Sequence, residues 1–332
     1  MNMTKKVAIL GAGSWGTALA IHLIRNEHDV TLWGRNQTLM ELLAKQHVNA
    51  HFLPGIPLPK ELQFTTSLRA ALEKAEIVLI AVPSHAFAEV LAKSKPYLTS
   101  DKQLIWVTKG LDPKKGTFLH EVAYEILDND AQFAALSGPS FAKEVAQGLP
   151  TAVIIAGSNI ETAKYFQDIF HSKKFRVYIT DDLLGVEIGG SVKNILAIAT
   201  GIAEGLGLGA NARAALITRG LTEILRLTDK LGAQRETIMG LAGLGDLILT
   251  CTENQSRNHR FGIALGQGLS IAQSLEKIDQ VVEGVSSSLL VNQLAEKCHI
   301  EMPITKEVAA VLHHDKSPAA AMTELMSREK PQ

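Results

Sequence analysis

Two charged residues stand in segments that otherwise carry no charge. Lys193 is the single charged residue in residues 189–203, and Asp246 is the single charged residue in residues 237–252. Burial lowers the pKa of an ammonium towards neutrality, where the group can exchange a proton with a substrate. A buried carboxylate needs a partner. The sequence therefore predicts that Lys193 is a catalytic general acid–base and that Asp246 is its partner.

Each of these residues also has a purely structural interpretation. Lys193 could run its methylene stem along the core and keep its ammonium in water. Asp246 could cap a helix that opens after Gly245. The apolar surroundings of both residues favour the catalytic interpretation.

The neighbours of Lys193 on a helix surface would be mostly small, Gly189 among them, and are expected to leave space above the amine for a ligand. Thr250 lies one helical turn beyond Asp246 and shares its face. Asn194 is expected to hold the amine in place together with Asp246. Asn194, Asp246 and Thr250 are thus candidate substrate-site residues.

A run of hydrogen-bond donors follows the Asp246 segment, in residues 254–260. The planar guanidinium of Arg257 can bind a phosphate through two parallel hydrogen bonds, and Ser256 and Asn258 add neutral donors. This composition suits a phosphate group. Taken without its neighbours, the segment would favour a solvated basic loop instead.

Near the N-terminus, the apolar run 7–10 leads into Gly11-Ala12-Gly13-Ser14-Trp15-Gly16 and then into helix-forming residues. Gly11 suits a sharp turn, Gly13 lets a pyrophosphate approach the main chain, and Gly16 lets the helix pack closely against the strand. Free N–H groups and the positive end of the helix dipole would face the anion. The pattern predicts a dinucleotide-binding turn, with an ordinary glycine-rich βα turn as the alternative.

The second predicted strand, residues 30–33, ends beside Arg35. NAD-selective folds carry an acidic residue near this position for the ribose 2′-hydroxyl, whereas an arginine suits a 2′-phosphate. We predict NADPH as the preferred cofactor, with NADH also accepted. A solvated surface arginine is the alternative.

The elements that position these residues form two groups. Up to about residue 180, apolar runs alternate with helix-like segments, which predicts an α/β fold with an N-terminal Rossmann-like doubly wound sheet. After residue 180 helical periodicity predicts a C-terminal all-helical domain, whose first helix would carry Asp181 and Asp182 in its first turn. The predicted domains are 1–180 for dinucleotide binding and 181–332 for substrate binding and catalysis. Strands are predicted at 7–10, 30–33, 77–82, 104–108, 133–136, 152–156 and 175–179, and helices of the second domain at 181–206, 211–231, 235–250, 259–266, 270–277, 286–298, 305–313 and 318–328.

Composition limits the classes of partner. The net charge of −1 gives no reason to expect nucleic acid or an anionic membrane surface. The two cysteines, Cys251 and Cys298, lack the spacing of a metal site or a disulfide framework. No uninterrupted apolar stretch reaches transmembrane length and no signal region is expected. We predict a cytoplasmic protein without a metal, and the apolar helical domain suggests a homodimer.

Several separated motifs resemble bacterial-type, NAD(P)-dependent glycerol-3-phosphate dehydrogenase, in the right order along nearly the whole chain. They are residues 11–20, Val82-Pro83-Ser84, Thr108-Lys109-Gly110-Leu111, residues 137–142, Val192-Lys193-Asn194, residues 209–213, residues 243–247, residues 254–258 and Val281-Val282-Glu283-Gly284.

The resemblance implies reversible hydride transfer between NAD(P)H and dihydroxyacetone phosphate, giving sn-glycerol 3-phosphate for phospholipid synthesis. It implies Lys193 as the catalytic base. It implies cofactor contacts at Ser14, Trp15, Arg35, Lys109, Ala142, Arg257, Val281 and Glu283, and substrate contacts at Lys109, Gly138, Ser140, Asp246, Ser256, Arg257 and Asn258.

Two other functions stay open, of which the first shares the two-domain plan. A related dehydrogenase would act on a hydroxy acid or a sugar phosphate, and a non-catalytic sensor would bind NADPH without consuming it. Charged residues at positions 193 and 246, inside otherwise uncharged helices, argue against the sensor.

Overall fold

The computed structural model describes residues 4–128 and 131–327. They fold into two compact units. One holds residues up to Thr108 together with Leu119–Leu183, and the other holds Lys109–Phe118 together with the residues from Leu184 onward. The second unit thus includes a ten-residue excursion that a single division near residue 180 leaves out, and that division stays a prediction.

The first unit is built on one sheet of eight strands within the described residues, in the order β3-β2-β1-β4-β5-β6-β7-β8. All pairs are parallel except β6 with β7, which is antiparallel. The predicted doubly wound α/β class is confirmed. The strands are β1 Lys6–Leu10, β2 Asp29–Trp33, β3 Gln63–Thr65, β4 Ile77–Ile80, β5 Gln103–Trp106, β6 Phe133–Ser137, β7 Thr151–Gly157 and β8 Phe175–Thr180.

Helices cover this sheet, which explains why β4 and β6 are buried along their whole length and read as continuous apolar runs. Strand β3 was not predicted, because this three-residue strand has no fully buried position and so no apolar run marks it. The helices are α1 Ser14–Arg25, α2 Gln37–Gln46, α3 Leu68–Glu73, α4 Ser84–Ser94, α5 Leu119–Leu127, α6 Ala142–Gln147 and α7 Ile160–Phe170.

The second unit contains no strand among the described residues, as the sequence predicts. A short excursion, Lys109–Phe118, inserts Leu111 and Phe118 into its apolar core. Its helices are α8 Leu183–Gly205, α9 Gly209–Leu231, α10 Arg235–Met239, α11 Asp246–Thr252, α12 Arg257–Gly266, α13 Ile271–Ile278, α14 Glu283–Lys297, α15 Pro303–His313 and α16 Pro318–Ser327.

Two details of the predicted helices were wrong. The helix expected over 235–250 is divided into α10, a π-helical turn at Leu241–Gly245 and α11, because Gly240 has an extended backbone and glycines lower helix propensity. Asp181 and Asp182 precede α8 instead of lying in its first turn. The final residue of the helix predicted at 318–328 lies outside the described residues.

Helix α8 contributes many residues to the apolar core of the second unit. By length and composition it could cross a membrane, but 94% of its most apolar window is buried inside the protein. Its apolar surface is therefore covered by neighbouring helices, as expected of a core helix.

Candidate active site

The glycine-rich turn between β1 and α1 has the geometry that its sequence predicts. Gly11 has φ of +130°, and a Cβ there would lie 2.5 Å from the carbonyl oxygen of Ala81. A Cβ on Gly16 would overlap the carbonyl oxygen of Gly11. Both positions therefore exclude any side chain.

Gly13 differs from these two glycines, because a Cβ there would meet no atom within 4 Å. It precedes Ser14 and Trp15, which form the start of α1, where backbone N–H groups have no helical carbonyl behind them. An open, unsubstituted backbone beside a helix N-terminus fits the pyrophosphate of a dinucleotide. The residues present thus fit the cofactor that the sequence predicts.

The remaining candidates of the first unit follow the carboxyl ends of strands, in loops or at the start of the next helix. Arg35 is exposed directly after β2, and Ala142 is the first residue of α6. Gly138 and Ser140 follow β6, with the Ser140 hydroxyl donating to the Gly138 carbonyl at 2.9 Å. In α/β sheets this edge is where ligands bind.

In the second unit, Lys193 is buried and its ammonium is held by two partners. It donates to Asp246 Oδ1 at 2.6 Å and to Thr250 Oγ1 at 3.0 Å. Only 9% of the Lys193 side chain is exposed, which excludes the alternative of a solvated ammonium. The Asp246 side chain is engaged by lysine instead of capping α11.

A second lysine shares the same carboxylate. Lys109 donates to Asp246 Oδ2 at 2.7 Å, so each carboxylate oxygen of Asp246 binds one ammonium. The Asp246 side chain is 2% exposed, against 18% for Lys109. The pairing of Lys109 with Asp246 was missed, because 137 residues separate the two and no local pattern connects them.

The excursion that carries Lys109 has its own fixed shape. Asp112 Oδ1 accepts hydrogen bonds from the backbone N–H groups of Lys114 and Lys115 at 3.0 and 2.9 Å. Leu111 pairs with Phe118 across the excursion. Lys109 therefore belongs to the same packed unit as Lys193 and Asp246.

Close backbone packing brings Asp246 to Lys193. A Cβ on Gly189 would overlap the carbonyl oxygen of Ala242, so α8 lies directly against the segment leading into α11. The expectation that Gly189 leaves space for a ligand was wrong at this position, because main chain occupies it. The absent side chain instead lets the carboxylate approach the amine.

The charged groups of the cluster shift one another's pKa values. Burial lowers the pKa of Lys193 to about 8, with Asp246 opposing the shift and Lys109 adding to it. Burial alone would raise the pKa of Asp246, but the two ammonium groups outweigh it and hold that pKa below its usual range. The cluster therefore combines a firmly ionised carboxylate with an amine that titrates near neutral pH.

Asn194 does not hold the amine, so this expectation was wrong. Its Nδ2 donates to the Gly190 carbonyl at 3.4 Å, and its Oδ1 accepts from Asn258 Nδ2 at 3.0 Å. Consecutive residues of a helix point in different directions, so Asn194 cannot share the face of Lys193. Asn258 Oδ1 also accepts from the Gly284 N–H at 2.9 Å, which links α8, α12 and α14.

The predicted phosphate loop lies at the start of α12. Ser256 is the N-cap, accepting from the His259 N–H at 3.2 Å. Arg257 Nη1 donates to Gln280 Oε1 at 3.4 Å. Burial lowers the pKa of Arg257, while the carboxylate of Glu283 opposes this shift. A partly desolvated guanidinium binds an anion more strongly than a fully solvated one.

Glycines also fix where this loop lies. A Cβ on Gly201 would overlap the His259 carbonyl, and one on Gly262 would overlap the Ile198 carbonyl, so α8 and α12 touch backbone to backbone. Val281, 42% exposed, and Glu283, the first residue of α14, follow Gln280. Residue patterns alone did not single out Val281 or Glu283.

Residues 4–128 and 131–327 contain no group of three or more His, Cys, Asp or Glu side chains that could hold a metal ion. The charged side chains of the cluster are two lysines and one carboxylate. An amine and a carboxylate are groups that can exchange protons.

Comparisons with known proteins identify the family. Models for the N-terminus and C-terminus of NAD-dependent glycerol-3-phosphate dehydrogenase match residues 6–163 and 182–323. The glycerol-3-phosphate dehydrogenase, NAD(P)+ type, of Shewanella halifaxensis is 50% identical over 99% of this chain and 98% of its own. That of Xanthomonas euvesicatoria is 50% identical over 98% of this chain and 96% of its own.

A solved structure agrees. The crystal structure of glycerol-3-phosphate dehydrogenase from Coxiella burnetii has a TM-score of 0.95 and 49% identity, covering 98% of this chain and 99% of that one. This chain therefore belongs to the NAD-dependent glycerol-3-phosphate dehydrogenase family.

Proposed function

We propose that this protein catalyses the reversible reduction of dihydroxyacetone phosphate to sn-glycerol 3-phosphate, with NADPH as preferred cofactor, NADH also accepted, and Lys193 as general acid–base. Relatives that are 50% identical over nearly the whole chain are named glycerol-3-phosphate dehydrogenase, NAD(P)+ type. The observation that carries the proposal is the buried ammonium of Lys193 on the carboxylate of Asp246.

The arrangement suits protonation of a developing alkoxide. An ammonium has three N–H donors, and Asp246 and Thr250 accept two of those of Lys193. One donor remains for a substrate oxygen. A pKa of about 8 lets Lys193 carry a proton near neutral pH and release it without a large energetic cost.

When bound, the reduced nicotinamide supplies the hydride that adds to the carbonyl carbon. Lys193 then gives its proton to the carbonyl oxygen and becomes a neutral amine. In the oxidation of glycerol 3-phosphate, the neutral amine takes the hydroxyl proton. Asp246 keeps the amine in one orientation through both directions, and the second ammonium, on Lys109, adds positive charge where negative charge develops on oxygen.

Arg257 is the proposed anchor for the substrate phosphate, and the Ser256 hydroxyl adds a donor. Asn258 contributes through its place in the Asn194–Gly284 hydrogen-bond chain, which holds the loop. In the first unit, Gly138 and Ser140 are proposed substrate contacts. The proposed cofactor contacts are Gly11, Gly13, Ser14, Trp15, Gly16, Arg35, Ala142, Lys109, Arg257, Val281 and Glu283.

The wider setting of the enzyme belongs to the same proposal. It includes a cytoplasmic location and a role in supplying sn-glycerol 3-phosphate for glycerophospholipid synthesis. A homodimer is supported by exposed apolar side chains of the helical unit, Leu208, Met239 and Ile248. Light scattering on the purified protein at several concentrations tests the dimer, and a constant monomer mass would contradict it.

The reaction is tested by following NADPH absorbance with dihydroxyacetone phosphate as substrate, and with 2-oxo and 3-oxo acids as controls. Among these substrates, we expect only dihydroxyacetone phosphate to cause consumption of NADPH. Faster turnover of an oxo acid would identify a related dehydrogenase. Binding of NADPH without consumption by any of these substrates would indicate a sensor.

A further inference from the structure

A buried asparagine from outside the glycine-rich turn holds the turn in one conformation. Asn49 lies in the loop after α2 and is 0% exposed. Its Nδ2 donates to the Ala12 carbonyl at 3.1 Å and to Thr17 Oγ1 at 2.9 Å, and its Oδ1 accepts from the Phe52 N–H at 3.3 Å. The side chain thus has partners on both sides of its amide.

These partners also determine the orientation of the amide. A carbonyl oxygen can only accept and a backbone N–H can only donate. Ala12 therefore requires the nitrogen of Asn49, and Phe52 requires its oxygen. One orientation satisfies both contacts.

The contact with Ala12 has a consequence for the next residue. The described residues contain no cis peptide bond, and in a trans peptide the C=O and N–H groups point in opposite directions. Since the Ala12 carbonyl points towards the buried Asn49, the Gly13 N–H of the same peptide points the other way. A Cβ on Gly13 would meet no atom within 4 Å, so open space borders this residue.

The neighbouring peptides are fixed by the main chain itself. The Gly11 N–H donates to the Trp33 carbonyl at 2.9 Å, and the Gly13 carbonyl accepts from the Thr17 N–H at 3.0 Å. The Ala12–Gly13 peptide lies between them, and its contact with Asn49 comes from a side chain 37 residues away. Glycine makes this peptide easy to rotate, so the asparagine supplies the restraint that the backbone lacks.

We propose that Asn49 is a positioning residue for the cofactor: by anchoring the Ala12 carbonyl, it aims the Gly13 N–H at the pyrophosphate of the dinucleotide. This inference rests on the proposed NADPH-dependent function. It assigns to the loop after α2 a part in nucleotide affinity, although that loop lies outside the glycine motif.

The test compares two ligands on matched variants. Asn49→Ala removes the anchor. Asn49→Asp keeps the Phe52 contact but replaces the donor with an oxygen facing the Ala12 carbonyl. Thr17→Val is the control, since it removes the other acceptor of the Asn49 amide and leaves the Ala12 contact in place.

Calorimetry measures the Kd of NADPH and of adenosine 2′-phosphate, which lacks the pyrophosphate, while steady-state kinetics measures KM for dihydroxyacetone phosphate. We expect both Asn49 variants to bind NADPH about five- to tenfold more weakly, the effect of losing one oriented hydrogen bond. Their Kd for adenosine 2′-phosphate and their KM for dihydroxyacetone phosphate should stay within about twofold of the unmodified protein. Thr17→Val should stay within the same range for all three.

Equal weakening of both ligands would overturn the proposal, because it would indicate general damage to the unit. An equal loss in Thr17→Val, or no loss in the Asn49 variants, would also overturn it. If Asn49→Ala does not fold, Asn49→Asp decides alone. Failure of the unmodified protein to bind NADPH would instead remove the proposed function, and the two failures are therefore distinguishable.

Discussion

The glycine-rich turn of the first unit and the lysine–aspartate cluster of the second unit are built in opposite ways. The turn presents main chain: three glycines lie within six residues, and Gly11 and Gly16 leave no room for a side chain. The cluster consists of charged side chains, which Lys109, Lys193 and Asp246 bring from three separate segments. A backbone site is thus local in sequence, whereas a site of buried charges depends on packing.

Removing the amine tests the side-chain half of this contrast. Lys193→Ala should lower turnover by at least about a hundredfold, because general acid–base catalysis contributes on that scale. Asp246 keeps Lys109 as a partner, so the fold should persist. Steady-state kinetics with dihydroxyacetone phosphate and NADPH, together with the Kd of NADPH, provides the measurement.

Lys306→Ala, at an exposed position of α15, is the matched control and should leave turnover unchanged. Turnover of Lys193→Ala close to that of the unmodified protein would remove Lys193 from the catalytic role. Equal loss of NADPH affinity would show that the variant is misfolded.

Two glycine substitutions test the backbone half. Gly16→Ala places a Cβ onto the Gly11 carbonyl and should lower the free energy of unfolding by about 2 kcal/mol, a typical cost of overpacking. Gly13→Ala meets open space and should change it by less than about 0.5 kcal/mol, as at unconstrained surface sites. Urea denaturation measures both.

For ligand binding we expect the larger effect in Gly13→Ala, because its methyl group would occupy the space proposed for the pyrophosphate. We expect its Kd for NADPH to rise about tenfold, equivalent to about 1.4 kcal/mol. Unchanged affinity in Gly13→Ala would place the pyrophosphate elsewhere.

Arg35→Asp tests whether a charged side chain adds specificity to the backbone site. The carboxylate would repel a 2′-phosphate and could accept a hydrogen bond from a 2′-hydroxyl. The ratio of KM for NADPH to KM for NADH should rise about tenfold, the scale of one charge-assisted contact. An unchanged ratio would leave Arg35 as a surface residue, and KM for dihydroxyacetone phosphate serves as the control.

The smallest expected effect is a change in pH dependence. The reduction needs protonated Lys193, so its kcat/KM should fall as the pH rises through about 8, while that of the oxidation should rise over the same range. Lys109 lowers the pKa of Lys193. Lys109→Met should therefore move both limbs to higher pH.

Lys114→Met, on the same excursion but exposed, should leave the pH profile unchanged. Movement of the limb to lower pH in Lys109→Met would contradict the electrostatic role of Lys109. A profile without any limb near pH 8 would contradict Lys193 as the titrating group.

Much of the fold was predictable because its signals are local. Runs such as Ile77–Ile80 are apolar throughout and indicate strands covered on both faces. The long helix around Lys193 was predicted to within two residues at its N-terminus and one at its C-terminus. The break at Gly240 was missed, because a helical pattern of apolar residues does not show at which glycine the backbone will become extended.

The candidate site divides along the same line. Sequence alone predicted a buried Lys193 with Asp246 as partner, since uncharged surroundings indicate burial and burial requires compensation of charge. It wrongly predicted the role of Asn194 and the space beside Gly189. Both errors concern what lies on a particular face of α8, and that is decided by which helix packs there.

The chain by itself determined most of its strands and helices, the glycine turn and the burial of Lys193 and Asp246. Periodicity, backbone freedom and the cost of desolvation all act within short segments. The tertiary structure alone decided that Lys109 shares the carboxylate of Asp246 and that Asn49 donates a hydrogen bond to the Ala12 carbonyl. These contacts join residues 137 and 37 positions apart. Such contacts arise only when packing brings distant segments within hydrogen-bond distance. The residues next to Lys109 or Asn49 in the sequence therefore do not indicate these contacts.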